Sequence, residues 1–433
     1  MTDNGATDSR TAFVTALRER VLPLRARATV RNDWLTQRLD TILPALMARE
    51  GFDMWIIAAR EYNEDPVIMT MLPEPSMAAR RRTILVFSRR PDGSVERLTL
   101  DRYGFGEFYT KGWDPEAEEQ DACLARVVRE RDPKRIGLDI STTFAFGDGL
   151  THQEYTRIAA ALGEELMART ASAERLCVGW LERRIPAELE VYPSIIALGH
   201  AIIAEAFSPR TIQPGATTTD DVVWWMRQTM LDAGLQAWFQ PTITVQSPGE
   251  AWDAIQRTDD RRTLIQHGDL LHCDMGFYYL GLATDHQQHA YIRKPGETDA
   301  PAGLVAALAA GNRLQDILRG AMVAGHSGNT VLREALADAR DAGLTPSIYT
   351  HPLGYHGHAA GPTIGLWDRQ DGVPGNGDYP LYDRTCYSIE LNVRHPVPEW
   401  GGQEVRIALE EDAVLSGGAV SWLSGRQTEL HLI

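Results

Sequence analysis

Apolar residues recur at three- and four-residue steps over residues 34–47, where Leu35, Leu39, Ile42, Leu43 and Leu46 share one face; the spacing predicts an amphipathic helix that runs through Pro44. Gly51 stops it, and residues 53–59 (DMWIIAA) read as a strand. Residues 83–88 and 95–100, with Pro91-Asp92-Gly93 between them, predict a hairpin, and residues 135–140 add a short strand. A basic, turn-like stretch over 176–186 leads into a helix starting near Ala187, with Ile195, Ile196, His200, Ile203 and Phe207 along its apolar positions. A domain boundary is expected there, separating residues 1–185 from residues 186–433. Beyond it, helical patterns at 220–234, 302–325 and 331–343 alternate with strand-like runs, so an α/β first domain should precede an α+β second one.

Composition narrows the classes. Of 433 residues, 43% are apolar and 24% charged, an ordinary globular profile with enough chain to bury its own core. Cys123, Cys177, Cys273 and Cys386 form no close pair, which argues against a disulfide scaffold or a cysteine zinc site and fits a reducing cytoplasm. No apolar run is expected to reach the roughly 20 residues of a membrane span, and the N-terminus shows no apolar signal core. A net charge of −16 disfavours nucleic acid and anionic lipid as partners.

Chemistry concentrates in residues 268–292, GDLLHCDMGFYYLGLATDHQQHAYI. Read as an antiparallel hairpin with its turn centred on Tyr279 and Leu280, this segment sets Asp274 opposite Asp285. Like charges in facing positions repel by about 3 kcal/mol at an effective dielectric near 20, which calls for a proton or a cation between them. The blander alternative is a single Asp that caps a turn. A second hairpin, YSIELNV and VRIAL around a Glu399-Trp400-Gly401-Gly402 turn, sets Glu390 opposite Glu411; a one-residue slip selects Glu410 instead. Between the hairpins lies THPLGYHGHAAGPTIGLWD, with three histidines and four glycines, a source for a fifth, imidazole ligand. Four carboxylates and an imidazole suit two divalent ions, Mn²⁺ or Co²⁺ first and Zn²⁺ or Fe²⁺ next, that share and activate a water for hydrolysis.

At these residues the sequence resembles the M24 metallopeptidases, the creatinase-like pita-bread proteins that include aminopeptidase P and prolidase. The order is Asp274 in DMG, Asp285 in ATD, the His loop, Glu390 in IELN and a Glu in RIALEEDAVL. REYNEDP, AERLCVGWLERR and HPLGYHGHAAGPTIGLWD further resemble the bacterial Xaa-Pro peptidase-like branch. The resemblance implies an N-terminal creatinase-like α/β domain, a C-terminal pita-bread α+β catalytic domain, a homodimer, and hydrolysis of the Xaa-Pro bond at the N-terminus of a small peptide. It also implies Asp274, Asp285, His358, Glu390 and Glu411 as ligands, with Glu410 as the alternative to Glu411 and His356 to His358. His351 becomes a substrate-side catalytic histidine, with His356 a further catalytic candidate, Glu390 a proton shuttle, and Tyr355 and Arg406 substrate-binding residues. Trp238, Phe239, Tyr355 and Trp367 are candidates to line a proline-sized pocket. Gly365 stands where the family has a second histidine, and Gln287-Gln288 replaces its Thr-Arg. These departures keep open a creatinase-like hydrolase of a small amide or amidine, and a binding module without catalysis.

Overall fold

The computed structural model describes residues 3–250 and 263–433. Two compact units emerge: Leu24–Ala187, and Glu188–Ile433 together with the segment that ends at Pro23. Helix α1 (Asp3–Glu19) thus belongs to the second unit, not to the first as a boundary at 185 implies. The cause is local. Arg10 pairs with the Asp232 carboxylate, Arg18 donates to the Asp232 carbonyl, and Leu22 N donates to the Tyr279 hydroxyl at 2.8 Å.

In the first unit, α2 (Leu24–Glu50) extends the predicted helix at both ends and buries Trp34, Leu35, Leu39, Ile42, Leu43 and Leu46. Six strands follow: β1 (Met54–Arg60), β2 (Arg82–Arg89), β3 (Val95–Thr99), β4 (Thr110–Lys111), β5 (Ile136–Leu138) and β6 (Thr170–Ser172). They form one sheet in the order β4-β3-β2-β1-β5-β6. Strand β1 is buried along almost its whole length, as its unbroken apolar run requires. Helices α3 (Gln120–Arg131) and α4 (His152–Met167) supply Leu124, Val127, Ile158 and Leu162 to the core over Ile56, Ile84 and Val86. The stretch read as a basic turn is mostly helix α5 (Glu174–Glu182), because Leu176, Cys177, Val178, Trp180 and Leu181 are all buried.

The second unit opens with α6 (Pro186–Ala206) and α7 (Thr219–Ala233). A reciprocal Thr218–Asp221 capping box starts α7, and Gly234 at φ +79° ends it. Among the described residues, α6 is the one helix long and apolar enough to cross a membrane by length and composition, which corrects the expectation that no run reaches that length. Its buried Tyr192, Ile195, Ile196, Ile202 and Ile203 serve the core.

Strands β7 (Gln236–Ala237), β8 (Thr242–Gln246), β9 (Leu270–Met275), β10 (Phe277–Tyr279), β11 (Leu282–Ala283) and β12 (His286–Tyr291) lead to α8 (Ala302–Ala321) and α9 (Gly328–Asp341). Then come β13 (Thr345–Ile348), β14 (His351–Leu353), β15 (Thr385–Val397), β16 (Gln403–Ser416), β17 (Ala419–Trp422) and β18 (His431–Leu432). The main sheet runs β13-β15-β16-β12-β9-β8, with β14 on β15, β17 on β16 and β18 on β12; β11-β10-β7 form a small sheet. Leu304, Leu308, Leu314, Leu332 and Leu336 from α8 and α9 pack with Leu391, Val393, Ile407 and Leu409 from β15 and β16. Strand alternation sends the even-numbered Glu390 and Glu410 to the opposite face.

Both predicted registers shift, the first turn centre by one residue later and the second by half a residue earlier. The first turn centres on Leu280-Gly281, at φ +55° and +80°, so Asp274 faces Gln287 and not Asp285. A tight primed turn needs two left-handed residues, and placing its only glycine second moves the centre one step later. Asp285 is then a diagonal neighbour of Asp274 on the same face, a separation side chains still bridge. The second hairpin closes from Val397 to Gln403, so its odd-length connection centres on Trp400 and pairs Glu390 with Glu410. The preferred Glu411 therefore pairs with Ile389 and points to the other face.

Candidate metal centre

Four carboxylates and an imidazole converge on one face of the main sheet. Donor atoms of Asp274, Asp285 and Glu410 lie within 4.8 Å of one another, as do those of His351, Glu390 and Glu410, and those of Asp285, His351 and His358. His351 belongs to two of these groups and His358 to one, so His351 is the imidazole set deeper among the acids. Its Nε2 stands 3.3 Å from Glu410 Oε1, 3.7 Å from Asp285 Oδ2 and 3.9 Å from Glu390 Oε2. Its Nδ1 lies 3.0 Å from the Pro352 carbonyl, which fixes the ring with Nε2 toward the acids.

Polar neighbours fix the acids. Ser388 Oγ donates to Glu410 Oε1 at 2.6 Å, and the Gln287 amide donates to Glu410 Oε2 at 2.7 Å and to Glu390 Oε1 at 2.8 Å. His272 Nε2, 2.9 Å from Gln287 Oε1, orients that amide. Asp285 N donates to Asp412 Oδ2 at 3.2 Å. Even so, Asp274 Oδ1, Asp285 Oδ1 and His351 Nε2 are buried with no hydrogen-bond partner.

Electrostatics reports the same deficit of positive charge. Burial, and then repulsion from Glu410, pushes Asp274, Asp285 and Glu390 well above the usual carboxylate range. Burial also works against Glu410, but His351, Ser388 and Gln287 hold it below that range. Buried acceptors without donors, and carboxylates that repel one another, are what bound cations satisfy. The residues present fit divalent metal.

Two expected roles are exchanged and one glutamate is replaced. His351, expected on the substrate side, lies among the acids, while His358 is more exposed, with its ring 4.6 Å from that of His351. GHxxG matched His358, but β14 pairs His351 with Ser388 and so aims it across the sheet face at Glu410. Burial, and then His351, lowers His358 to about 4. Glu411 is corrected to Glu410: its Oε2 meets His200 Nε2 on the other face at 2.6 Å. His356 and Tyr355 are outside the converging groups, and the Tyr355 hydroxyl donates to Glu188. Arg406, four residues before Glu410 on the same strand face, lies close enough to favour the charged forms of Glu390 and Asp274. Trp238 borders the site, 5.3 Å from His358 and 4.4 Å from Phe239, and its indole donates to the Thr284 carbonyl. Trp367 is 78% exposed and lines nothing of this kind. The parts not foreseen are Gln287, Ser388 and Tyr349, whose ring lies 5.7 Å from that of His351 and tilted to it by 54°. A glutamine opposite Asp274 in the corrected register is the signal for the first.

The sequence profile of the metallopeptidase family M24 matches residues 195–415, just over half of the chain. No curated protein matches significantly. Among solved structures, the chain is similar to the X-Pro aminopeptidase of Thermotoga maritima, with 16% identity over 88% of this chain and 98% of that one and a TM-score of 0.62. The Xaa-Pro dipeptidase of Bacillus anthracis gives 16% identity, 92% and 100% coverage and a TM-score of 0.62. A dipeptidase of Pyrococcus horikoshii gives 18%, 90%, 99% and 0.57. These likenesses concern the fold, while the matched profile takes in all five converging donors, and the chain belongs to the metallopeptidase family M24.

Proposed function

We propose that the protein is a dinuclear metallopeptidase that cleaves the Xaa-Pro bond at the N-terminus of a short peptide. The observation that carries the reading is the convergence of Asp274, Asp285, His351, Glu390 and Glu410 on one buried pocket with unmatched acceptors. Asp274 and Asp285 would hold one ion and His351 and Glu390 the other, with Glu410, common to both donor groups, between them. Bound there, divalent ions would activate a water and polarise the carbonyl under attack, with Mn²⁺ or Co²⁺ best suited to a site so rich in oxygen.

The chain supplies the rest. Glu390, beside the attacked carbonyl, would take the attacking water's proton and return it to the departing proline nitrogen. His358 is neutral near pH 7 and offers an uncharged N–H to the carbonyl oxygen. Trp238, Phe239 and His358 form an aromatic wall of the size of a proline ring. Two of the similar solved structures, an X-Pro aminopeptidase and an Xaa-Pro dipeptidase, support the substrate class.

The test compares Ala-Pro, a longer Xaa-Pro peptide and its N-blocked form, before and after chelation and with Mn²⁺ restored. Metal-dependent release of the first residue from free-amine substrates is expected. Metal binding with no cleavage of any of the three would overturn the peptidase reading and favour a small amide or amidine as substrate.

A further inference from the structure

On the reverse of the same sheet, between β12, β16 and α6, a second donor cluster takes no part in the reading above. His200 on α6, His286 on β12 and Glu411 on β16 bring ligand atoms within 4.8 Å of one another. Glu411 Oε2 is 2.6 Å from His200 Nε2 and 3.5 Å from His286 Nδ1. His286 and Glu411 are wholly buried, while the His200 side chain keeps 24% of its surface exposed and opens a path from solvent.

Three features separate this cluster from a simple ion pair. Neither ring nitrogen of His286 has a hydrogen-bond partner, although the ring is completely buried; a pair of His200 with Glu411 leaves that imidazole unexplained. Glu411 is held from behind by its other oxygen: Oε1 accepts from Gln288 Nε2 at 2.7 Å and from Gln427 N at 3.1 Å. Gln288 in turn is oriented by His431 Nε2 at 2.9 Å. Such outer contacts leave Oε2 as a single, aimed donor, the arrangement seen around metal-bound carboxylates. Room for the His286 ring depends on Gly199, since a Cβ there would stand 2.6 Å from His286 Cδ2 and 2.7 Å from Nε2.

We propose that His200, His286 and Glu411 form a separate site for one divalent transition metal of the zinc or cobalt class. Two imidazoles and one carboxylate are a donor set that holds zinc with a fourth position left to solvent, and the nitrogen content sets it apart from the oxygen-rich pocket on the opposite face. The ion replaces the proton between His200 and Glu411 and spreads those donors to roughly 3.3 Å, the edge of a tetrahedron with bonds of about 2.0–2.1 Å. It ties α6 to the centre of the sheet.

Cobalt(II) alone is the probe. The full chain with Asp274→Asn and Glu410→Gln, which disable the acidic pocket, is stripped with chelator and titrated with Co²⁺, with metal content and visible d–d absorption as readouts. One equivalent with the intense absorption of a four-coordinate site is expected, and it disappears when His200→Ala is added. Retention of that equivalent without His200, or no tight cobalt in the double variant, overturns the proposal. In an otherwise unaltered chain, where folding is least disturbed, His200→Ala should lower the tightly bound cobalt by one equivalent; an unchanged count refutes the site as well.

Discussion

Replacing Asp274 by Asn should stabilise the metal-free protein and abolish its stabilisation by metal. Donor oxygens of Asp274, Asp285 and Glu410 lie within 4.8 Å of one another, and two unit charges at that distance repel by about 3–4 kcal/mol at an effective dielectric near 20. The folded chain relieves part of this by holding protons, and Arg406 offsets some of the rest, so about 1–3 kcal/mol should remain to be gained near pH 8. At about 2 °C per kcal/mol for a domain of this size, that is a rise in Tm of roughly 2–6 °C. The pH dependence follows from the same groups. Asp274, Asp285 and Glu390 have raised pKa values, so between the ordinary carboxylate pKa and those values the folded state binds more protons than the unfolded one. Stability without metal therefore falls as pH rises through that window, by about 1.4 kcal/mol per pH unit for each group fully engaged. At the lower pH the folded chain holds more of the Asp274 proton, and the gain from Asn should shrink. The assay is thermal melting in chelator at pH 5 and 8, repeated with saturating Mn²⁺, where the order should reverse because only the unaltered chain keeps its ligand. A metal-free variant that melts lower than the unaltered chain at pH 8, or an equal shift at both pH values, would refute the electrostatic reasoning.

Other substitutions separate the parts of the site. Glu410→Gln should lower peptidase kcat/KM by at least about 100-fold and lose metal from the acidic pocket, measured by turnover of Ala-Pro and metal content; near-normal turnover would return the ligand role to another residue. Gln287→Ala removes the amide that holds both Glu390 and Glu410 and should weaken Mn²⁺ about 10–100-fold, read by isothermal titration. Gly357→Ala places a Cβ 2.2 Å from the Trp238 ring, so it should cost about 1–3 kcal/mol and raise KM more than it lowers kcat. An unchanged KM would remove Trp238 from the substrate wall.

Much of the site was legible because chemistry and spacing agree: two aspartates eleven residues apart, then histidines, then two glutamates on paired strands. What failed was parity. In the second hairpin a pairing slipped by one residue exchanges faces, and nothing in the apolar pattern of VRIALEEDAVL distinguishes Glu410 from Glu411, since both are buried. The glycine of Leu280-Gly281 and the odd length of the 398–402 connection held the missing information. The histidine loop failed differently. His351 and His358 both approach Asp285, and only the pairing of β14 with β15, a contact distant in sequence, decides which one faces Glu410. Helix α6 was found from its period, but His200 within it passed as an apolar-face residue, because its partners lie 86 and 211 positions further along the chain.

Adjacent glutamates on β16 serve opposite sides of one sheet, and this constrains how the gene can change. Loss or gain of one codon between Gln403 and Leu409 would rotate every later side chain to the wrong side, bringing Glu411 to the acids and sending Glu410 to the helix layer. Changes of two codons would restore the facing. Length variation among natural relatives in this strand should therefore come in even steps, unless a bulge absorbs the odd residue.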